Sequence, residues 1–309
     1  MSQKVTGVIA AMVTPCSPDG ATVDGNALPG YLEFLIAAGV DGLFIGGTTG
    51  EGPVLQCEEK ISLFHQVVEA VAQRVGVIAH VGDVSTRQAV RLAIGAAEAG
   101  ADAVAAVTPY FYHYDDEAIY DYYKAIADAV PQLPLYAYNI PQNAGNLLSS
   151  RLYGMLAATL PSFAGVKTSS PDLMLLGEYL HCDTVRRTDV FVGCDGLDLA
   201  GLVCGARGIV SGNCSAFPEP FVRLMRAITD ADFPLARKIQ SCIDELRKIT
   251  YDGRKLAIYK EALKLRGVPV GGVRAPLRPL PADEREELNR RIRDWSERWE
   301  VQLNLKIIQ

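Results

Sequence analysis

Short apolar runs alternate with helix-length segments through the first 215 residues of this chain, and that alternation restricts its fold more than any other feature. The runs are 7–13, 42–45, 77–81, 103–107, 134–140, 163–166, 190–192 and 208–210. Segments 24–38, 58–73, 86–99, 116–129, 148–160, 171–181 and 196–203 separate them. Runs that are apolar throughout suit strands covered on both faces, as in a parallel sheet. Parallel neighbours need a crossover connection, usually a helix. Eight such units predict an α/β fold, a (β/α)8 barrel; a doubly wound open sheet is the rival and usually has fewer strands. A weak repeat agrees. Ala38-Gly39-Val40-Asp41-Gly42, Ala99-Gly100-Ala101-Asp102-Ala103 and Cys204-Gly205-Ala206-Arg207-Gly208 each precede a strand, with a glycine ending the helix before it.

Beyond residue 215 the pattern becomes purely helical, over 218–229, 233–250, 253–266 and 283–298, with a Pro-rich connector at 269–281. The expected organisation is a barrel over 1–215 and a C-terminal helical extension over 216–309 packed on it. An apolar content of 49% supports a large core. No apolar run approaches the roughly 20 residues of a membrane helix. The N-terminal run leads straight into a Pro/Gly turn and reads as a first strand, not a secretory signal. Net charge is −6, and no Lys/Arg cluster follows an aromatic platform, which argues against nucleic acid as a partner. The charge-dense stretch 283–300 mixes both signs at helical spacing and reads as a solvated helix. Seven cysteines (16, 57, 182, 194, 204, 214, 242) show no C-x-x-C. They read as buried thiols of a reducing compartment, hence a cytoplasmic protein. The four histidines show no ligand spacing, and no metal is expected.

Chemistry concentrates in 134–170. Two apolar runs there end at Tyr138 and Lys167, with a helix-length segment between them. In a strand–helix–strand unit of a parallel sheet, both strands end on the same side, so the two residues should meet at one rim. Lysine is almost never fully buried without a partner. A desolvated amine favours its neutral, nucleophilic form, and a phenol beside it can shuttle protons. Two readings stand at this point: a Schiff-base lysine with a tyrosine acid/base, or a solvent-directed lysine with a packed tyrosine.

Barrel active sites gather at the C-terminal strand ends. Those ends supply Thr14, the loop 46–51, Thr108-Pro109-Tyr110, Tyr138-Asn139, Lys167-Thr168, Asp195 and Ser211-Gly212-Asn213. The set holds an amine, phenols, hydroxyls and glycines, but no metal cage, Ser-His-Asp order or carboxylate pair. Imine chemistry on a small 2-keto acid fits it best. The Gly-rich loop can offer backbone N–H groups and the Thr48 and Thr49 hydroxyls to an anion. It lacks the nucleotide-phosphate patterns, so a substrate carboxylate suits it better; a tight turn without a ligand remains equally open.

The motifs GTTGE (47–51), TPY (108–110), YNIP (138–141) and GVK (165–167) occur in this order. In that arrangement the chain resembles the dihydrodipicolinate synthase / N-acetylneuraminate lyase family of class I aldolases, over most of its length. The resemblance implies that Lys167 forms an imine with pyruvate or a pyruvate-derived substrate, that Tyr138 acts as acid/base, and that Thr48 belongs to the proton relay. It implies that Thr49 and its neighbouring amides, Gly47 among them, hold the carboxylate. No cofactor beyond the covalent imine is implied. The partners would be a keto acid, an aldehyde and other copies of the chain, as a homotetramer built as a dimer of dimers.

Three departures bear on the substrate. The synthases carry an arginine two residues after YN-x-P, where this chain has Asn143. They carry a second tyrosine after TPY, where this chain has Phe111, with Tyr110 or Tyr112 as a substitute. The sialic acid lyases have an acidic residue after the Asp of strand seven, and here Gly196 follows Asp195. The SGN-then-PE pattern at 211–219 resembles members that cleave 2-keto-3-deoxy sugar acids. Gln142, Asn143, Ser169, Asp195 and Ser211 could then hydrogen-bond substrate hydroxyls. That is the preferred reading. Dihydrodipicolinate synthase, N-acetylneuraminate lyase and a non-catalytic keto-acid sensor are the alternatives.

Overall fold

The computed structural model describes residues 5–182 and 188–303; the outer ends of both expected domains, 1–4 and 304–309, lie outside these. Eight strands among the described residues form a closed parallel barrel. They are β1 (Gly7–Ala11), β2 (Gly42–Ile45), β3 (Gly76–His80), β4 (Ala103–Val107), β5 (Leu135–Asn139), β6 (Phe163–Thr168), β7 (Asp189–Val192) and β8 (Gly208–Ser211). Each pairs with the next in sequence, and β1 closes the ring on β8. The expected (β/α)8 architecture is the one observed.

Around the barrel run α1 (Leu28–Ala37), α2 (Cys57–Val71), α3 (Thr86–Ala99), α4 (Asp116–Ala129), α5 (Pro141–Ala144), α6 (Ser150–Thr159), α7 (Leu173–Leu180) and α8 (Asp198–Val203). Then come α9 (Pro218–Thr229), α10 (Phe233–Ile249), α11 (Ala257–Leu265) and α12 (Ala282–Arg298). Three differences from expectation exceed two residues, each for a local reason. The first helix starts at Leu28, not 24, because the Asp24 carboxylate accepts the Asn26 N–H (3.0 Å) and holds a turn there. The short α5 has no counterpart in the sequence pattern; Pro141 opens it and Gly145, at φ +75°, ends it. Helix α11 starts at Ala257, not 253, because Tyr251 and Asp252 take positive φ of 52° and 51°.

The core has two layers. Side chains alternate across a strand. Ile9, Phe44, Ile78, Ala105, Tyr136, Tyr138, Phe191 and Val210 fill the barrel interior. Val8, Leu43, Ala79, Val104, Ala137 and Ile209 face the helices. The outer cluster runs on without a break into the C-terminal helices. Trp295 of α12 is fully buried, stacks edge-on against Phe217 (5.6 Å between ring centroids) and donates its indole N–H to the Cys242 carbonyl at 3.0 Å. Such a buried Trp contributes about 3–5 kcal/mol against alanine. The expectation of buried thiols holds for Cys16, Cys214 and Cys242; Cys204 is exposed, and Cys57, Cys182 and Cys194 are half-buried. No helix among the described residues is long and apolar enough to cross a membrane.

Candidate active site

Lys167 faces the barrel interior because β6 carries a bulge. Leu135 of β5 lies opposite Phe163, but Tyr136 lies opposite Gly165, so Ala164 is an inserted residue. Phe163 packs in the outer layer. In an uninterrupted strand every second residue shares a face, and Lys167 would follow Phe163 outward. The insertion reverses the phase: Val166 packs outward, and Lys167 turns in over the aromatic rings of the interior. Gly165 makes the close approach possible. Its φ is +151°, and a Cβ there would sit 1.8 Å from the Asp189 carbonyl oxygen. Lys167 lies within β6, which runs one residue past the strand end that the sequence suggests.

In register, Lys167 stands beside Tyr138 on one side and Phe191 on the other. Its Nζ lies 3.8 Å from the centroid of the Tyr138 ring and 4.5 Å from that of Phe44. The side chain is buried, and none of the ion pairs among the described residues includes it. The solvent-directed lysine is thereby set aside. The Tyr138 hydroxyl shares a hydrogen bond of 3.3 Å with the Thr48 hydroxyl. Burial works to raise the phenol's pKa, but the Lys167 charge and hydrogen bonds with Thr48 and Ser169 outweigh it and hold the group below its ordinary value. A phenol so placed ionises more readily than tyrosine in water.

The loop that carries Thr48 is braced from far along the chain. Glu51, at φ 60°, pairs with the buried Lys260 of α11 at 2.7 Å and accepts the Arg274 N–H at 2.6 Å. Thr14 donates its hydroxyl to the Gly50 carbonyl at 2.6 Å. Removing one member of a buried pair such as Glu51–Lys260 leaves an uncompensated charge and costs about 3–5 kcal/mol.

Behind the same loop lies Lys60 of α2, 3% exposed and close to Gly46. Burial lowers its pKa to about 8, against the pull of the Asp83 carboxylate. The unfolded chain keeps this proton up to the ordinary 10.5, so between about 8 and 10.5 the unfolded state binds more protons. Stability contributed at this site therefore rises with pH across that window, and the folded protein carries the full cost of the buried charge below it. Lys60→Met is expected to stabilise the protein at pH 7 by up to about 3 kcal/mol, with the gain shrinking towards pH 10.5. Paired thermal melts at pH 7 and pH 10 check this. A gain that does not shrink, or no gain, would refute it.

Thr48, Thr49, Tyr138, Asn143, Lys167 and Asp195 all line one cavity of about 460 Å3 at the C-terminal end of the strands. Three other expected contacts do not. Ser211 is sealed beneath Asp195: its hydroxyl donates to the carboxylate at 2.8 Å and accepts the Cys214 N–H at 3.1 Å. It therefore supports Asp195 from outside the cavity lining. Tyr110 packs on the barrel-interior cluster outside the lining, and Phe111 and Tyr112 are surface-exposed. Gly47 contributes by lacking a side chain, since a Cβ would fall 2.6 Å from the Phe44 ring. Asp195 also accepts from Asn213 at 2.8 Å; burial raises its pKa despite these two hydrogen bonds and the nearby Arg247 and Lys167 charges. On α5, Gln142 and Asn143 stand at the rim, and Gln142 donates to the Ser169 carbonyl at 2.9 Å.

The sequence alone does not suggest the wall formed by the C-terminal helices. Arg247 of α10, the turn Asp252–Arg254, Leu256 and Tyr259 all line the cavity. Arg247 is one of several charged residues along an amphipathic helix, and nothing local distinguishes it. The one available signal is the Tyr-Asp-Gly-Arg break between two helical segments. Among the described residues, no group of three or more His, Cys, Asp or Glu is arranged to hold a metal ion.

Comparison with known proteins agrees with this geometry. The sequence model of the dihydrodipicolinate synthetase family matches residues 4–294. The 4-hydroxy-tetrahydrodipicolinate synthase of Bacillus subtilis is 36% identical over 285 residues, covering 92% of this chain and 97% of its own length. The structure of a sialic acid aldolase from Ruminococcus gnavus superimposes with a TM-score of 0.89 at 28% identity, covering 96% of this chain and 100% of its own. A dihydrodipicolinate synthase from Acinetobacter baumannii, solved in complex with pyruvate, gives a TM-score of 0.87 at 30% identity, covering 95% and 99%. These relatives carry the names of synthases and an aldolase, and members of the family are lyases that work through a Schiff-base lysine. The chain belongs to the dihydrodipicolinate synthetase family.

Proposed function

We propose that this protein is a class I lyase that reversibly cleaves a 2-keto-3-deoxy sugar acid into pyruvate and an aldehyde, with Lys167 as the imine-forming residue. The observation that carries the reading is the convergence of three groups in one cavity: Lys167 Nζ over the Tyr138 ring at 3.8 Å, and the Tyr138 hydroxyl on Thr48 at 3.3 Å. The amine adds to the keto carbon, and loss of water gives an iminium. Tyr138 takes the proton of the C4 hydroxyl as the C3–C4 bond breaks. The bond's electron pair moves into the iminium to give an enamine, and the aldehyde departs. Protonation of the enamine carbon and hydrolysis release pyruvate and the amine. Thr48 connects the phenol to the Gly-rich loop, whose hydroxyls and N–H groups suit the keto acid's carboxylate. Gln142, Asn143, Ser169 and Asp195 offer polar partners to the sugar hydroxyls.

Borohydride reduction in the presence of pyruvate, followed by peptide mass spectrometry, is expected to place a stable adduct on Lys167. A folded protein without an adduct would move the keto-acid sensor reading to the front. A second enzymatic reading, the synthase reaction with aspartate semialdehyde, is favoured by the name of the Bacillus subtilis relative. It is disfavoured by Asn143, which offers no bidentate cation to the semialdehyde carboxylate. Side-by-side assays of aldol cleavage and semialdehyde condensation separate the two.

A further inference from the structure

The cavity has the Lys167 amine at its floor and two arginines on the wall built by the C-terminal helices, and the arginines have no part in the chemistry described so far. Arg247 reaches in from α10 across Gly196. A Cβ on Gly196 would fall 2.2 Å from Arg247 Nη1, so the missing side chain is what admits the guanidinium. Gly193, three residues earlier, lies against Lys167, its would-be Cβ 2.8 Å from Lys167 Cε. Three residues of chain span at most about 10 Å. The Lys167 stem and the Arg247 guanidinium therefore pack on two glycines no farther apart than that, within reach of one short sugar-acid chain.

Arg247 already displays how it receives a carboxylate. Asp252 sits on it through Nε at 3.0 Å and Nη2 at 2.9 Å, and Asp244 accepts from Nη1 at 3.3 Å. A guanidinium carries five N–H donors, so at least two stay uncommitted. Asp252 is exposed, in a turn of positive φ, and a ligand carboxylate can join or displace it. Arg254, also exposed, adds positive charge to the same wall. Asp195 accepts from both Ser211 and Asn213 on one oxygen, Oδ2, which holds the carboxylate in place and leaves Oδ1 outside these bonds.

We infer that Arg247 is a specificity-determining residue that binds a carboxylate at the far end of the aldehyde partner. The sugar acid cleaved here is then oxidised at both ends, and its products are pyruvate and a hydroxy-aldehyde bearing a carboxylate. This rests on the lyase reading of the same cavity. Planar, bidentate pairing is the mode in which arginine selects carboxylates, and loss of a charge-assisted pair costs about 1.5–3 kcal/mol, or about 10- to 100-fold.

The test runs the reaction towards condensation, with pyruvate and two aldehydes of equal carbon number: tartronate semialdehyde, which ends in a carboxylate, and glyceraldehyde, which ends in a hydroxymethyl group. The wild type is expected to prefer tartronate semialdehyde in kcat/KM by about tenfold or more. In Arg247→Met that preference collapses, through a rise in KM for tartronate semialdehyde and not through kcat, and Arg247→Lys restores part of it. Equal use of the two aldehydes by the wild type, or a preference unchanged in Arg247→Met, overturns the inference and leaves the lyase reading standing. A melting temperature lowered in Arg247→Met with the preference intact assigns Arg247 to structure alone and also overturns it. Aspartate semialdehyde is the third probe. If it is taken in preference, with the same dependence on Arg247, the carboxylate inference holds and the synthase reading replaces the sugar-acid one. No product with any aldehyde, together with no pyruvate adduct on Lys167, overturns both.

Discussion

Lys167→Ala is expected to lower turnover by at least about 10^4-fold and to leave the fold in place, because in the proposed mechanism the lost group is the one that makes the covalent intermediate. No ion pair among the described residues depends on this side chain, and its neighbours are the faces of Tyr138 and Phe44. Truncation therefore exposes no uncompensated charge of the kind that breaking Glu51–Lys260 would leave. The melting temperature should stay within a few degrees of wild type or rise. Pyruvate release coupled to a dehydrogenase gives the rate, and calorimetry gives the stability. Turnover above about a tenth of the wild-type rate would sink the imine mechanism. Loss of turnover together with loss of the folded transition would show that the lysine is structural.

The second large effect is at Tyr138. Tyr138→Phe removes one hydroxyl and keeps the ring beneath the amine, so it separates proton transfer from packing. The expected loss in kcat is about 10^2- to 10^4-fold, the usual contribution of a positioned acid/base. The pyruvate adduct on Lys167 should still form, but more slowly, since the phenol serves the carbinolamine step as well. Because Lys167 and Thr48 hold the phenol below its ordinary pKa, the wild type should lose activity at the alkaline end earlier than free tyrosine would ionise. Wherever the cycle needs the protonated phenol, rate falls as pH rises through that lowered value. Tyr138→Phe should abolish this limb. An alkaline profile that stays as in the wild type after the substitution would assign the limb to another group.

Much of the barrel could be read from the chain itself. Strand runs and crossover segments are local features, and β2, β4, α3, α4 and α9 occupy the ranges their patterns predict. Lys167, Tyr138 and Thr48 were legible because parallel topology forces strand ends to one rim, whatever their distance in sequence. Other parts depended on contacts that no local pattern encodes. Ser211 and Asp195 are both polar groups at strand ends, yet one is sealed beneath the other; only three-dimensional packing tells which faces the cavity. Arg247 joins the site because α10 packs on the turn Asp195–Leu197 that follows β7, with Gln240 donating to the Asp195 carbonyl at 2.9 Å, and Lys260 matters because it meets Glu51 from more than 200 positions away. The ends of α1 and α11 moved because side-chain hydrogen bonding at Asp24 and positive φ at Tyr251 and Asp252 overrode the helical periodicity.

The insertion at Ala164 makes this enzyme's competence a matter of counting as well as of chemistry. Every residue after it in β6 is out of step with Phe163 by one position. A chain shortened there by a single residue would keep its lysine, its tyrosine and its threonine. It would nevertheless aim the amine at the surrounding helices, into a layer built for Val166. Such a strand would be silenced by its length, with no reactive group altered. The interval between the strand's first aromatic residue and its lysine is thus as much a part of the proposed catalytic apparatus as the lysine itself. A relative that preserves the four motifs but changes that interval should be read as a different machine.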